Sequence, residues 1–384
     1  MEEKKRLISL DLFRGATIAG MLLVNNPGTW SAIYAPLEHA EWNGCTFADL
    51  IFPFFLFIMG MAIPLAFRNR RTSADGMKKL HLQILRRALL LFALGLLLNS
   101  LNVMLTKMTL SPFAIWPDLR IPGVLQRIAI CYLFASLMVL HLKPKAQVLA
   151  SVLLILGYAL TMNFVPVERN GTVIWEAGIP LRDHNLAALV DASLLGNHVW
   201  KVSAPWDPEG VLSTLPAIAT TLFGAFAGYW ILREIPPAVK VRGMAIMGAL
   251  GALSGYLMNF WVPLNKNIWS SSYTLFTGGL ALLSMAFCYW LVDVRGARRG
   301  LHFFIVYGSN AITVFVLSGI FARFLDFIKV PLASGLSLKA VIYSGLFASW
   351  LPDKAASLGY ALAFVMVWYG IMAVFYKKRI FLKI

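Results

Sequence analysis

His39 stands in a polar loop, Pro36-Leu37-Glu38-His39-Ala40-Glu41-Trp42-Asn43-Gly44-Cys45-Thr46, between two apolar runs at 7–25 and 47–67. An imidazole changes charge near neutral pH, so one held among polar neighbours can take or give a proton during a reaction. Asn25 and Asn26 close the first run, and an amide N–H beside such a base can donate to a developing oxyanion. Trp30, Trp42 and Asn43 are close in sequence. Position alone is better explained by a loop histidine that merely caps or packs; the rest of the chain reverses that preference.

The elements that must position this loop are membrane helices. Hydrophobic residues make up 59% of the 384 positions and charged residues only 14%, more apolar surface than one water-soluble core can hide. Continuous apolar windows predict ten spans, at 7–25, 47–67, 84–103, 121–141, 147–165, 211–232, 241–262, 272–292, 302–321 and 358–376, each near the roughly 20 residues a bilayer crossing needs. The predicted fold is therefore an all-α polytopic membrane helix bundle, one multi-pass domain over 1–384 with a longer outer loop at 166–210. Segment 338–350 is too short for a span and reads as a half-helix or an interfacial helix. No small-residue cleavage site follows the first run, so it reads as a retained span.

Lys and Arg set the orientation. Lys4, Lys5, Arg6, the run from Arg68, Arg70 and Arg71 to Arg87, and the tail Lys377, Lys378, Arg379 and Lys383 all fall on one side of a ten-span chain. Both termini are then cytoplasmic in an inner (cytoplasmic) membrane, and the His39 loop is outside. An eleven-span chain would put the basic tail outside. The formal charge of +16 reflects these loops facing anionic lipid rather than nucleic acid.

Polar groups also fall where lipid should be. Asp11 and Arg14 share one helix face at i, i+3, as a structural ion pair or as part of a polar path. Asp49 and Arg127 lie at similar depth, which predicts a pair across helices. Asn310 reads as a helix–helix contact. Trp175, Trp200 and Trp206, with Trp30 and Trp42, form either an interfacial belt or a platform for a sugar ring. Asp183, His184, Asp191 and His198 read as solvated loop residues. No metal-ligand spacing, phosphate loop or nucleophile elbow is present, and Cys45, Cys131 and Cys288 show no paired spacing.

Several blocks together resemble a known family. They are Ser9-Leu10-Asp11-Leu12-Phe13-Arg14-Gly15, Val24-Asn25, His39-Ala40-Glu41-Trp42-Asn43-Gly44, Ala48-Asp49-Leu50-Ile51-Phe52-Pro53-Phe54 and Phe57-Ile58-Met59-Gly60. Arg120-Ile121-Pro122-Gly123-Val124-Leu125-Gln126-Arg127, Asp207-Pro208-Glu209-Gly210, Asn265-Lys266-Asn267-Ile268-Trp269, Tyr307-Gly308-Ser309-Asn310 and the tail Lys378-Arg379-Ile380-Phe381-Leu382-Lys383-Ile384 complete the set. In order and over nearly the whole chain, they resemble the catalytic membrane domain of the heparan-α-glucosaminide N-acetyltransferase family. With no large lumenal domain ahead of the first span, the chain reads as the bare bacterial core.

The resemblance implies transfer of acetyl from cytosolic acetyl-CoA to the amine of a glucosamine-type sugar on the opposite face. It places the essential histidine on His39 and its companion on Asn25, and it suggests a homodimer. His39 then serves as base or as acetyl carrier. Arg86, Arg87, Lys78 and Lys79 are expected at the CoA phosphates, unless they serve only orientation. Trp42, Asn43, Trp30, Asp207 and Glu209 are expected at the sugar or glycan acceptor. Asp11, Arg14, Asp49, Arg127 and Asn310 are expected as buried polar support. Two other readings fit parts of the sequence: a membrane O-acyltransferase of cell-envelope sugars, and a secondary transporter or flippase using the buried charges as a relay.

Overall fold

The computed structural model describes residues 7–68, 74–169, 172–175, 178, 180–331 and 335–382. Lys4, Lys5, Arg6, Arg70, Arg71, Lys383 and the side chain of Trp175 lie outside the described residues. Fourteen α-helices follow one another: α1 Ile8–Asn25, α2 Phe47–Phe67, α3 Ala74–Lys107, α4 Pro112–Ile115, α5 Val124–His141, α6 Pro144–Phe164 and α7 Leu186–Leu195, then α8 Thr214–Leu232, α9 Pro237–Met258, α10 Ser271–Tyr289, α11 His302–Ser309, α12 Ala311–Phe327, α13 Leu338–Tyr343 and α14 Asp353–Lys377. Among the described residues nine helices are long and apolar enough to cross a membrane, because such segments must satisfy their backbone polar groups internally.

The predicted ninth span, 302–321, is not one helix. α11 and α12 meet at an 83° bend, with Asn310 at the break. Counting the bent pair as one crossing gives ten. Among the described residues the Asn310 amide bonds to no neighbouring helix, contrary to the expectation of a helix–helix contact. Its Nδ2 donates to the carbonyl of Ile380 at 3.0 Å, and its Oδ1 accepts from the N–H of Leu382 at 3.1 Å. The chain's C-terminal tail is thereby tied to the broken helix. Segment 166–210, expected as a loop, holds among its described residues a two-stranded hairpin, Val167–Arg169 with Thr172–Trp175, and α7. Segment 338–350 forms α13, continuing as a π-helical turn over Ser344–Ala348.

Helices approach closely where side chains are absent. A Cβ on Gly60 would lie 1.8 Å from the Thr221 backbone oxygen, and one on Gly224 would lie 1.9 Å from that of Phe57, so α2 and α8 pack backbone to backbone. Pro53 and Pro64 lie inside α2, where buried surroundings tolerate the lost donor. The core around this pair holds Phe52, Leu56, Ile63, Ala217, Leu222, Trp269 and Tyr273.

One end of the bundle gathers the C-termini of α1, α3, α6 and α9 and the N-termini of α2, α5, α8 and α10. The start of α14 joins them, since the Gly28 N–H donates to the Ser357 carbonyl at 3.1 Å. The tail over 380–382 instead meets Asn310, next to the point where Gly308 packs on Asp11 near the start of α1. The described chain ends therefore share the end opposite the His39 loop.

Candidate active site

The His39 loop is clamped to the turn between α9 and α10. The Gly44 N–H donates to the Leu264 carbonyl at 2.7 Å, Asn265 Nδ2 to Asn43 Oδ1 at 3.2 Å, and Asn267 Nδ2 to the Glu41 carbonyl at 3.2 Å. Gly44 adopts φ +127°, which favours glycine. The clamp brings together residues that lie more than two hundred positions apart.

Asp49, in the first turn of α2, organises the centre. Its side chain is fully buried and its Oδ1 lies 2.7 Å from Nδ1 of His39, whose ring is 38% exposed. Oδ2 accepts from the N–H of Ala40 at 3.1 Å and from the N–H of Thr46 at 3.0 Å. The Thr46 contact is the reciprocal half of a capping box, and the helix N-terminus favours the carboxylate. With Nδ1–H donating to Asp49, the lone pair of His39 is on Nε2, which no described residue engages by a hydrogen bond.

Lys266 completes the group. Its Nζ lies 3.2 Å from His39 Nδ1 and 3.8 Å from Asp49 Oδ1. Burial pulls its amine below the usual lysine range, while Asp49 and Glu209 act in the opposite direction. Beside it, burial and then Asp49 push the Cys45 thiol up to about 12. Sequence reasoning missed Lys266 as a site residue, although the Asn265–Trp269 block contains it; linear spacing gives no sign of a contact across 227 residues.

The expected ion pair of Asp49 with Arg127 does not form. Arg127 is buried in α5, where its Nη2 donates to the Gly210 carbonyl and to Ser213 Oγ, and its guanidinium lies over the Trp269 ring. Equal depth placed the two residues at one level, but on helix faces that serve different neighbours. Asp11 and Arg14 do pair, at 3.1 Å, and Arg14 also reaches the Gly308 carbonyl.

Asp207 and Glu209 form a buried network and are not displayed to solvent. Arg120 donates from Nε to Asp207 Oδ2 at 2.8 Å, and from Nη2 to Asp207 Oδ1 at 2.6 Å and to Glu209. The N–H groups of Trp200 and Glu209 occupy the Asp207 oxygens as well. Asp191 is also buried, against the expectation of a solvated residue. It accepts from the N–H groups of Asp207 and Val211, and burial raises its carboxyl to about 6. Asp183 and His184 are exposed as expected, and His198 Nδ1 contacts the Leu119 carbonyl.

The aromatic residues divide. Trp42 packs edge-on against Trp206 at 5.3 Å and donates to the Pro180 carbonyl, while Trp30 is 59% exposed. Asn25 ends α1 with an exposed side chain, and no hydrogen bond joins it to His39 among the described residues. Lys78, Lys79 and Arg86 are exposed on α3, and Arg87 stacks over Tyr132 at 4.8 Å. α3 places this basic cluster at the end of the bundle opposite His39.

The profile of a family described as "Domain of unknown function (DUF5009)" matches residues 8–218. The human protein named heparan-alpha-glucosaminide N-acetyltransferase is 30% identical over 99% of this chain, and the mouse protein of the same name is 29% identical over the same share. This chain spans 60% of the length of each of these relatives.

Proposed function

The chain belongs to the DUF5009 family, and from that premise we propose that it is a transmembrane acetyltransferase. Acetyl-CoA is the donor, and the acceptor is the amine of a glucosamine-type sugar at the His39 end of the bundle. The observation that carries this reading is the 2.7 Å contact of His39 Nδ1 with the buried Asp49 carboxylate. A carboxylate on one imidazole nitrogen leaves the other as a base in a fixed orientation. The name of the human and mouse relatives supplies the substrate class.

In this reading the sugar amine attacks the thioester carbonyl while Nε2 of His39 takes its proton. The C–S bond of the thioester breaks as the amide C–N bond forms, and the proton passes to the CoA thiolate. In the two-step version Nε2 attacks the thioester and CoA leaves as its thiolate; the amine then displaces the imidazole from the acetyl group, and the amine's proton passes to the thiolate. Asn25 serves the oxyanion in either version once donor and acceptor draw the α1 end and the loop together. Lys78, Lys79, Arg86 and Arg87 hold the CoA phosphates at the other end, which makes that end cytoplasmic, in an inner membrane. The acetyl-bearing arm of CoA then reaches between helices towards His39. The proposed assembly is a homodimer.

The test is incubation of the detergent-solubilised protein with acetyl-CoA and glucosamine, with NMR of the product. N-acetylglucosamine formed by the wild type and lost in His39→Ala supports the assignment. An O-linked product would move the chain to the O-acyltransferases, and near-normal turnover by folded His39→Ala would overturn the site.

A further inference from the structure

An apolar groove of about 360 Å³ runs along the outside of the bundle between α5, α6 and α8. Met138 and Ala150 line it towards the basic end, and Thr161, Leu212 and Leu215 towards the His39 end. From Ala150 to Thr161 the helix rises roughly 16 Å at ~1.5 Å per residue. That is close to the depth of one leaflet, half of a hydrocarbon core of about 30 Å. The groove's length and its almost wholly apolar lining suit one hydrocarbon chain. Its floor is open at Gly157, where an added Cβ would meet nothing within 4 Å.

The groove borders the structure that clamps the His39 loop. Tyr158 lines it and also lines a small pocket against Asn43 and Asn265. The Tyr158 hydroxyl donates to the Ile268 carbonyl at 2.5 Å, in the turn that carries Lys266. Leu212, from the groove, and Trp42, from the His39 loop, pack on the same cluster of Tyr158, Met162 and Ile268. A chain lying along α6 would therefore end beneath Trp42, at the level where a head group meets the loop.

Resting on the acetyltransferase reading, we infer that this groove holds the hydrocarbon chain of the acceptor, so that the acceptor is a lipid-linked amino sugar. The membrane then delivers the substrate laterally, and the chain fixes the height of the sugar amine at His39. Annular lipid occupies many outward faces of a bundle without selection. The distinguishing claim is that this one groove reads chain length and sets acceptor affinity.

The experiment uses the full chain in lipid nanodiscs. The probes are dodecyl glucosaminide and hexyl glucosaminide, each with a photoreactive diazirine in the alkyl chain, and sites of labelling are read by mass spectrometry. Labelling by the dodecyl probe is expected to concentrate on the groove walls and to fall about tenfold in Gly157→Leu, as for a filled apolar subsite. Ala150→Phe closes only the end towards the basic cluster, so it is expected to reduce labelling by the dodecyl probe and spare the hexyl one. In turnover assays Gly157→Leu should raise the KM for dodecyl glucosaminide about tenfold and leave free glucosamine unchanged. Labelling spread over all lipid-facing helices and indifferent to both variants would mean annular lipid only and overturn the proposal. So would cross-links to a second copy through this face. Groove-specific labelling without acetylation of any sugar would instead defeat the acetyltransferase reading and leave the acyl-chain site standing.

Discussion

Asp49 divides its two oxygens between jobs: Oδ1 meets His39, and Oδ2 closes the turn from Ala40 to Thr46. One residue therefore both starts α2 and orients the imidazole. Asp49→Asn is expected to lower turnover by at least the roughly hundredfold of a lost general base and also to lower the thermal unfolding temperature, because hydrogen bonds to a charged group are each worth about 1.5–3 kcal/mol. His39→Ala should give the first effect with little of the second, since its ring is partly exposed; equal loss of stability in both variants would refute this division. Lys266 provides a separate handle. Its amine is depressed by burial in the folded state, so its contribution to stability is full above the unfolded lysine value and is lost as pH falls through the folded one. Raising the pH from neutrality towards about 10 should therefore stabilise the wild type more than Lys266→Met in thermal unfolding. Asp191 has the opposite sign. Its carboxyl is raised from 3.8 to about 6, so its contribution is full below the lower value and disappears as pH rises through the upper one. Asp191→Asn should flatten the stability profile across that window, and an unchanged slope would count against the raised carboxyl.

At the level of elements, the apolar windows were legible because a bilayer demands length and composition, and both are one-dimensional properties. The bend at Asn310 was not, because hydropathy is blind to which backbone groups a side chain takes, and the partners of Asn310 lie in the tail some seventy residues on. The site was legible in part for the same reason. His39 stood out as an ionisable group between spans, but its partners Asp49 and Lys266 depend on how α2 and the α9–α10 turn face the loop. Depth from the membrane surface, the quantity sequence does supply, paired Asp49 with Arg127 wrongly. Glycines carry a sharper element-scale test. Gly60 touches the Thr221 backbone, whereas Gly157 faces open space. Gly60→Ala should cost at least about 1–3 kcal/mol through forced separation of α2 and α8, while Gly157→Ala should be neutral or gain up to about 1 kcal/mol of helix propensity. Thermal unfolding in one detergent compares the two directly, and similar losses would show that the α2–α8 contact is not tight.

For the whole molecule the arrangement is polar at both ends and differently so: a partly exposed imidazole on a buried carboxylate at one, exposed cations on α3 at the other. A reaction that takes its acetyl group from the cytosol and delivers it on the far face needs this separation, with the helices between acting as the barrier to the charged donor. Sidedness is then the property on which the transmembrane reading depends. Because the Asn310 side chain ties residues 380–382 beside the start of α1, the tail and the His39 loop must face opposite compartments if ten crossings are correct. Single cysteines are placed at Glu38, in the loop, and at Lys378, after α14, in a background with Cys45, Cys131 and Cys288 replaced by serine. In intact cells a membrane-impermeant maleimide should label position 38 readily and position 378 only after permeabilisation. Labelling of both from outside would require an odd number of crossings, place the basic tail with the acceptor, and remove the compartment boundary across which acetyl transfer is proposed to occur.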